Sequence, residues 1–236
     1  MAALDLSNLE LKLGSLKLQK DIPLARYTAA RVGGPADWLV EVGSAGELAS
    51  VVSRLWQLDA PFIVLGGGSN VLVSDAGVRE VVVINRARQV RFDEQAGSPA
   101  VWAESGANLG LVARQAAQRG LSGLEWAAGI PGTVGGAVFG NAGAHGGDMA
   151  GSLILAEILQ HSEQFREPDT NSGEPWQVER LAYAYRSSLL KRRPGKAVVL
   201  SALLRLEHST PATVQARLDE LVAYRRRTQP PGASMG

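Results

Sequence analysis

Three groups of residues in this chain could do chemistry. Gly66, Gly67 and Gly68, followed by Ser69 and Asn70, come directly after the apolar run 62–65. A second stretch, Gly129, Ile130, Pro131, Gly132, Thr133, Val134, Gly135, Gly136 and Ala137, continues to Asn141, Ala142 and Gly143, with eight glycines between positions 129 and 147. Main chain without side chains stacks N–H donors and can approach a diphosphate or a flat ring closely, so both segments point to a large anionic cofactor. Asn141 adds one side-chain donor and acceptor. The third group is Tyr183, Tyr185, Arg186, Ser187 and Ser188, with Lys191 close behind. A guanidinium flanked by tyrosine can grip a carboxylate in a bidentate fork and oppose negative charge that grows there during a reaction.

Each group also has a plain structural explanation. Three consecutive glycines fit a tight turn between strands equally well. The first segment lacks both GxGxxG spacing and the Lys-Ser/Thr of a P-loop, and it leads into Val71-Leu72-Val73-Ser74 rather than a helix. Neither Rossmann nor Walker geometry fits, and a glycine nest remains. In the second segment small or β-branched residues and one proline separate the glycines, without the Ser-rich polarity of a linker, so its backbone reads as ordered but irregular. Close packing of strands is its alternative. Arg beside Tyr is otherwise an ordinary surface stack or ion pair.

The 236 residues, 45% of them apolar, suffice for a well-buried core in one large domain or two small ones. A net charge of +1 gives no global field toward nucleic acid or a membrane. Arg225-Arg226-Arg227 and Lys191-Arg192-Arg193 are local clusters; the first either contacts a diphosphate or completes a helix C-terminus. Without cysteine there are no disulfides or thiolate metal sites, and His145, His161 and His208 show no ligand spacing, so no metal is expected. The first 14 residues carry acids and no long apolar run, unlike a signal peptide or a membrane span, which makes a cytoplasmic protein the expectation.

The elements that must position these groups alternate between strand-like and helix-like patterns. Residues 38–42 and 62–65 read as strands, joined by a helix opening at Ser44 with Glu47 three positions on, a capping box, and together they predict a small βαβ unit. Strands follow at 80–85 and 100–104. A helix over 109–119 has Leu109, Val112, Ala113 and Ala116 on one face and Gly120 as its stop. Strands resume at 153–159 and 197–206. Thr210 and Pro211 open a helix to about residue 228 with Val214, Leu218, Leu221 and Val222 on one side, ended by Pro230-Pro231-Gly232. Residues 167–175 form the most loop-like insertion.

Taken together these motifs resemble the UDP-N-acetylenolpyruvoylglucosamine reductase (MurB) family of peptidoglycan synthesis. The resemblance rests on Thr28 with Arg31-Val32-Gly33-Gly34-Pro35-Ala36-Asp37, on both glycine segments with His145 and Gly146, and on Tyr185-Arg186-Ser187-Ser188-Leu189-Leu190-Lys191, all in the family's order. It implies an α+β FAD-binding fold of the vanillyl-alcohol oxidase / p-cresol methylhydroxylase type, with FAD between two α/β subdomains. Residues 1–88 would form the first subdomain, 89–208 the second, and 209–236 the start of a substrate-binding domain.

Carried over residue by residue, Gly66, Gly67, Gly68, Ser69 and Asn70 would hold the FAD diphosphate, while the run Gly129 to Ala137 with Asn141, Ala142 and Gly143 would line the flavin. Arg186 would be the catalytic arginine, Tyr185 would position it or the substrate, and Arg227 would contact FAD or substrate. NADPH would be the co-substrate and a UDP-sugar the substrate of a cytoplasmic monomer that binds neither nucleic acid nor membrane. His145 stands where relatives carry Tyr. The chain stops at the Gly that precedes the family's proton-donating serine, which implies a truncated chain that binds FAD but lacks that serine and a late glutamate. The helix over 211–228, deprived of a partner sheet, would then be partly exposed or frayed. Another flavoenzyme of the same fold and a noncatalytic nucleotide-binding module are the alternatives.

Overall fold

The computed structural model describes residues 17–95, 97–161 and 173–229. The N-terminal reading, residues 167–172 of the expected insertion, the proline-glycine stop at 230–232 and the final Gly236 lie outside them.

The first layer is a four-stranded sheet in the order β1-β2-β4-β3, built from β1 (Leu18–Pro23), β2 (Pro35–Val42), β3 (Phe62–Leu65) and β4 (Val78–Asn85), with helix α1 (Ala45–Gln57) between β2 and β3. The expected βαβ unit is present with β4 inserted between its two parallel strands. β4 explains why: its run Val81-Val82-Val83-Ile84 is buried throughout, as a central parallel strand covered on both faces must be. Ser44 caps α1, its Oγ accepting from the Glu47 N–H at 3.2 Å, while the Glu47 carboxylate reaches back to the Gly43 N–H at 2.6 Å.

The second layer is a five-stranded antiparallel sheet, β11-β10-β12-β6-β5. In chain order it contains β5 (Val90–Asp93), β6 (Ala100–Glu104), α2 (Leu109–Gln118), β7 (Leu121–Ser122), α3 (Val134–Gly140), the β8–β9 hairpin (Gly143–Ala144 and Gly147–Asp148), α4 (Met149–Ser152), β10 (Leu153–Gln160), β11 (Glu174–Gln177), α5 (Leu189–Arg192), β12 (Ala197–Arg205), β13 (Glu207–His208) and α6 (Pro211–Thr228). β1 and β5 have no counterpart in the sequence reading. β1 is an edge strand with charged residues along it, and β5 is only four residues long, too short for its Val90/Phe92 alternation to stand out. β11 begins inside the stretch read as a loop.

Helix α1 belongs to both layers. Leu48, Val51, Val52 and Leu55 pack with Val40, Val42, Val81 and Val83 of the first sheet and with Leu159, Val198 and Leu200 of the second. Burying each such side chain contributes about 1.5–3 kcal/mol. The core therefore runs unbroken across residue 88, where the sequence reading divides the chain. Buried Glu104 adds a polar tie, its carboxylate accepting from the N–H groups of Ala45 and Gln89, both at 2.8 Å. A carboxylate at the first turn of α1 also meets the positive end of the helix dipole.

Helix α6 is exposed over much of its surface, as expected, but it has a packing partner. Val214, Leu218 and Leu221 are buried, and the helix lies on α2 and on the 3-10 turn Glu125–Ala127. Small Ala117 and Ala128 on the opposing surface let the helices approach closely, which replaces the sheet the sequence reading supposed necessary. Leu218→Ala should therefore cost about 2–5 kcal/mol, measured by chemical denaturation. A loss under about 0.5 kcal/mol, the level of a surface substitution, would mean that α6 is not docked in solution.

Candidate FAD and substrate site

The first glycine segment leaves the end of β3 and passes beneath the loop that follows β1. Gly68 has φ 61° and sits so close to the Tyr27 carbonyl that a Cβ there would overlap it, which only glycine tolerates. Its carbonyl accepts from the Ala29 N–H at 2.9 Å. That bond joins the Thr28 motif to the glycine turn. The N–H groups of Gly66, Gly67, Gly68, Ser69 and Asn70 donate to no acceptor among the described residues, nor does the Asn70 side chain have a partner there.

The second segment lies against the first. A Cβ on Gly66 would stand 2.5 Å from Thr133 Oγ1, and one on Gly67 would stand 3.5 Å from the Gly132 Cα. Ser69 Oγ donates to the Pro131 carbonyl at 3.1 Å. Two segments 60 residues apart thus meet backbone to backbone. Beside the contact is a cleft of about 270 Å³. Gly66, Gly67, Gly132 and Thr133 line it together with Arg88 and Leu111. Glycine edges at residues 66, 67, 106 and 132, the free N–H donors of Gly66 and Gly67, and Arg88, which has no carboxylate partner among the described residues, suit a diphosphate-bearing ligand.

Beyond Gly132 the segment differs from the sequence reading. Residues 134–140 are helix α3, capped by Thr133, whose Oγ1 accepts from the Gly136 N–H at 3.3 Å. The Val134 and Gly135 N–H groups donate to the Ala107 and Ser105 carbonyls at 2.9 and 2.8 Å. Val134 and Ala137 are buried in the core, and Gly135 is small because a Cβ would stand 2.7 Å from that of Ser105. These donors are spent within the protein, so Val134, Gly135, Gly136 and Ala137 support the site rather than offering N–H groups to a ring. Gly129, Ile130, Pro131, Gly132 and Thr133 keep the irregular form expected, although the Ile130 N–H is also used, by the Ala127 carbonyl at 3.1 Å.

Asn141 has a structural task as well. It ends α3 in the left-handed conformation, φ 46°, and is buried. Its Nδ2 donates to the Ala184 carbonyl and its Oδ1 accepts from the Ala150 N–H, each at 3.1 Å, so one donor and one acceptor site of its amide are used within the protein. What it does is bring the third group to the second. Tyr185 and Arg186 sit in a turn closed by reciprocal Ala184–Ser187 backbone bonds of 3.0 Å. Arg186 Nη2 donates to the Gly143 carbonyl at 3.1 Å and has no carboxylate partner among the described residues. Its φ of 54° is a left-handed conformation that costs a non-glycine residue roughly 1–2 kcal/mol. Tyr185, 89% exposed, projects outward beside it, its ring centroid 5.8 Å from the guanidinium.

The arginine cluster also resolves differently. Arg227 lines a separate groove between α2 and α6 with Arg114 and Arg226. Arg225 is the member that reaches the glycine segment, its side chain 3.2 Å from where a Gly129 Cβ would be. Burial lowers its pKa from the ordinary arginine value, and Nη2 donates to Gln229 Oε1 at 2.8 Å. Three consecutive arginines carry no signal saying which one faces inward. His145, φ 55°, turns the β8–β9 hairpin with its ring edge-on to Tyr224 at 5.6 Å.

Gly66→Ala should force the two glycine segments apart and lower affinity for FAD at least tenfold, about 1.4 kcal/mol. Thr133→Ala, which removes the opposing atoms, should restore part of that loss in the double variant. Fluorescence titration with FAD measures both, and unchanged affinity in Gly66→Ala would contradict the contact.

A family model described as an FAD binding domain matches residues 36–159, which include both glycine segments. The UDP-N-acetylenolpyruvoylglucosamine reductase of Chloroflexus aggregans is 37% identical over 226 residues, 94% of this chain and 73% of the relative. Among solved structures, the same enzyme from Thermus caldophilus superposes with a TM-score of 0.75 at 34% identity, over 94% of this chain and 73% of that one. Cholesterol oxidase of Brevibacterium sterolicum, at 12% identity and TM-score 0.59 over 82% of this chain and 38% of its own, shares the fold alone. With free backbone donors at a cleft edged by Gly66, Gly67 and Gly132, and with these matches, the chain belongs to the UDP-N-acetylenolpyruvoylglucosamine reductase family and carries its FAD-binding domain.

Proposed function

We propose that this protein takes part in the NADPH-driven, FAD-dependent reduction of UDP-N-acetylglucosamine enolpyruvate to UDP-N-acetylmuramate, a cytoplasmic step of peptidoglycan precursor synthesis. The observation that carries the reading is the attachment of the Arg186 turn to the end of the glycine segment through Asn141 and Gly143. FAD, when bound, supplies the hydride relay between NADPH and the enolpyruvyl double bond. The residues of this chain bind and orient. The free N–H groups of residues 66–70 hold the diphosphate, and the 129–133 backbone lies beside it.

Hydride addition to the enolpyruvyl group leaves negative charge on the carbon that bears the carboxylate. An exposed guanidinium without an internal counter-charge can grip that carboxylate and offset the growing charge, an interaction stronger in the transition state than before it. Arg186 meets this requirement, and Tyr185 beside it meets the UDP-sugar.

Single-turnover spectroscopy tests it. NADPH added without oxygen should bleach the visible band of bound FAD, and the enolpyruvyl UDP-sugar should restore it. Arg186→Ala should slow the restoring step about 10²–10³-fold and leave the bleaching step within about twofold, a small change in barrier. Bleaching reversed rapidly by oxygen but not by the UDP-sugar would point to an oxidase instead.

A further inference from the structure

We infer that Tyr183, Asn141 and Ser188 are positioning residues for Arg186, acting as a strap that fixes its turn to the C-terminal end of α3. The inference rests on the role proposed for Arg186 above. A helix leaves its last carbonyls without internal partners, and a buried helix end must find them elsewhere. In α3 the Ala137 carbonyl accepts from the Ala142 N–H at 3.0 Å. The next two carbonyls are taken by side chains from the Arg186 segment: Tyr183 Oη donates to Val138 at 3.0 Å, and Ser188 Oγ donates to Phe139 at 2.6 Å. Asn141 completes the set by donating to the Ala184 carbonyl at 3.1 Å.

Every member is built for this task. Ser188 is fully buried, and its hydroxyl both donates to Phe139 and accepts from the Lys191 N–H at 3.2 Å, so the same oxygen caps α5. Tyr183 is held well above the ordinary phenol range by burial and secondarily by Asp148, which keeps its hydroxyl protonated as a donor. Lys191 Nζ donates to the Arg186 carbonyl at 3.0 Å. Bonds on both sides of the turn, at residues 183–184 and 187–188, hold Arg186 in a backbone conformation that it would otherwise leave. The turn that bears the cation is therefore tied directly to the C-terminal end of α3.

The midpoint potential of FAD bound to the protein reads the position of this cation directly, because a nearby guanidinium favours the anionic reduced flavin. Arg186→Ala should lower the potential and define the full shift. Ser188→Ala and Tyr183→Phe, which keep Arg186, should each lower it by at least half that shift while FAD is still retained. Ser188→Thr, which keeps the hydroxyl, should return it to the original value. If Ser188→Ala does not fold, Tyr183→Phe carries the test, since it loses one hydroxyl and keeps the ring. A shift in Arg186→Ala with none in the strap variants would overturn the strap. No shift in Arg186→Ala would show that the strap does not hold the guanidinium beside the flavin, and would overturn the inference while leaving the test of Arg186 on the substrate carboxylate to the restoring step.

Discussion

The structure turns on one close approach, the contact of Gly66 and Gly67 with Gly132 and Thr133. A methyl group on Gly66 would collide with Thr133 Oγ1, so the two segments can touch only because side chains are missing from one of them. The contact joins the edge of a largely parallel sheet to the entry of a helix lying on an antiparallel one. Everything around it serves to keep those surfaces in register. Helix α1 is buried against both sheets, the Glu104 carboxylate bonds to Ala45 and Gln89, and Asn85 Nδ2 donates to Ser105 Oγ at 2.7 Å. Ser105 in turn accepts the Gly135 N–H, so the tie between the layers continues into the second glycine segment.

A division of hydrogen-bonding capacity follows. In the first segment the backbone donors stay unspent, and in the second most of them close the fold. The same residue type therefore does two jobs, presenting N–H groups at residues 66–70 and permitting tight packing at Gly135. Charge is divided in a similar way. Arg186 is exposed without an internal counter-ion, whereas Arg79 pairs with Asp37 at 2.6 Å and Arg180 with Glu174 at 2.6 Å. An exposed guanidinium left without an internal counter-ion is the arrangement expected of a surface that receives an anion.

Much of this was legible in the residues, for physical reasons that differ between elements. The strand at 62–65 and the helix at 211–228 agree with the sequence reading to the residue, because turn glycines and a Thr-Pro start leave little choice. The capping box at Ser44 and the buried face of α2 were visible for the same local reasons. Helix α3 was not, since glycine at positions 135, 136 and 140 hides the helical period, and its cap at Thr133 could not be told from loop polarity. The parts that position Arg186 were hidden as well. Ser188 and Tyr183 act on carbonyls some 45 to 49 positions earlier, a pairing that no local pattern encodes. The docking of α6 depends on Ala117 and Ala128, whose small size carries no signal until the opposing helix is in place.

The central claim is that the free donors at 66–70 receive the FAD diphosphate while those at 134–136 belong to the fold. Backbone amide resonances recorded during titration with FAD separate the two directly. The account predicts the largest shifts at Gly67, Gly68, Ser69 and Asn70, with Val134, Gly135 and Gly136 keeping their resistance to solvent exchange with and without cofactor. Large shifts confined to 134–136, or saturation with FAD that leaves 67–70 unmoved, would contradict it.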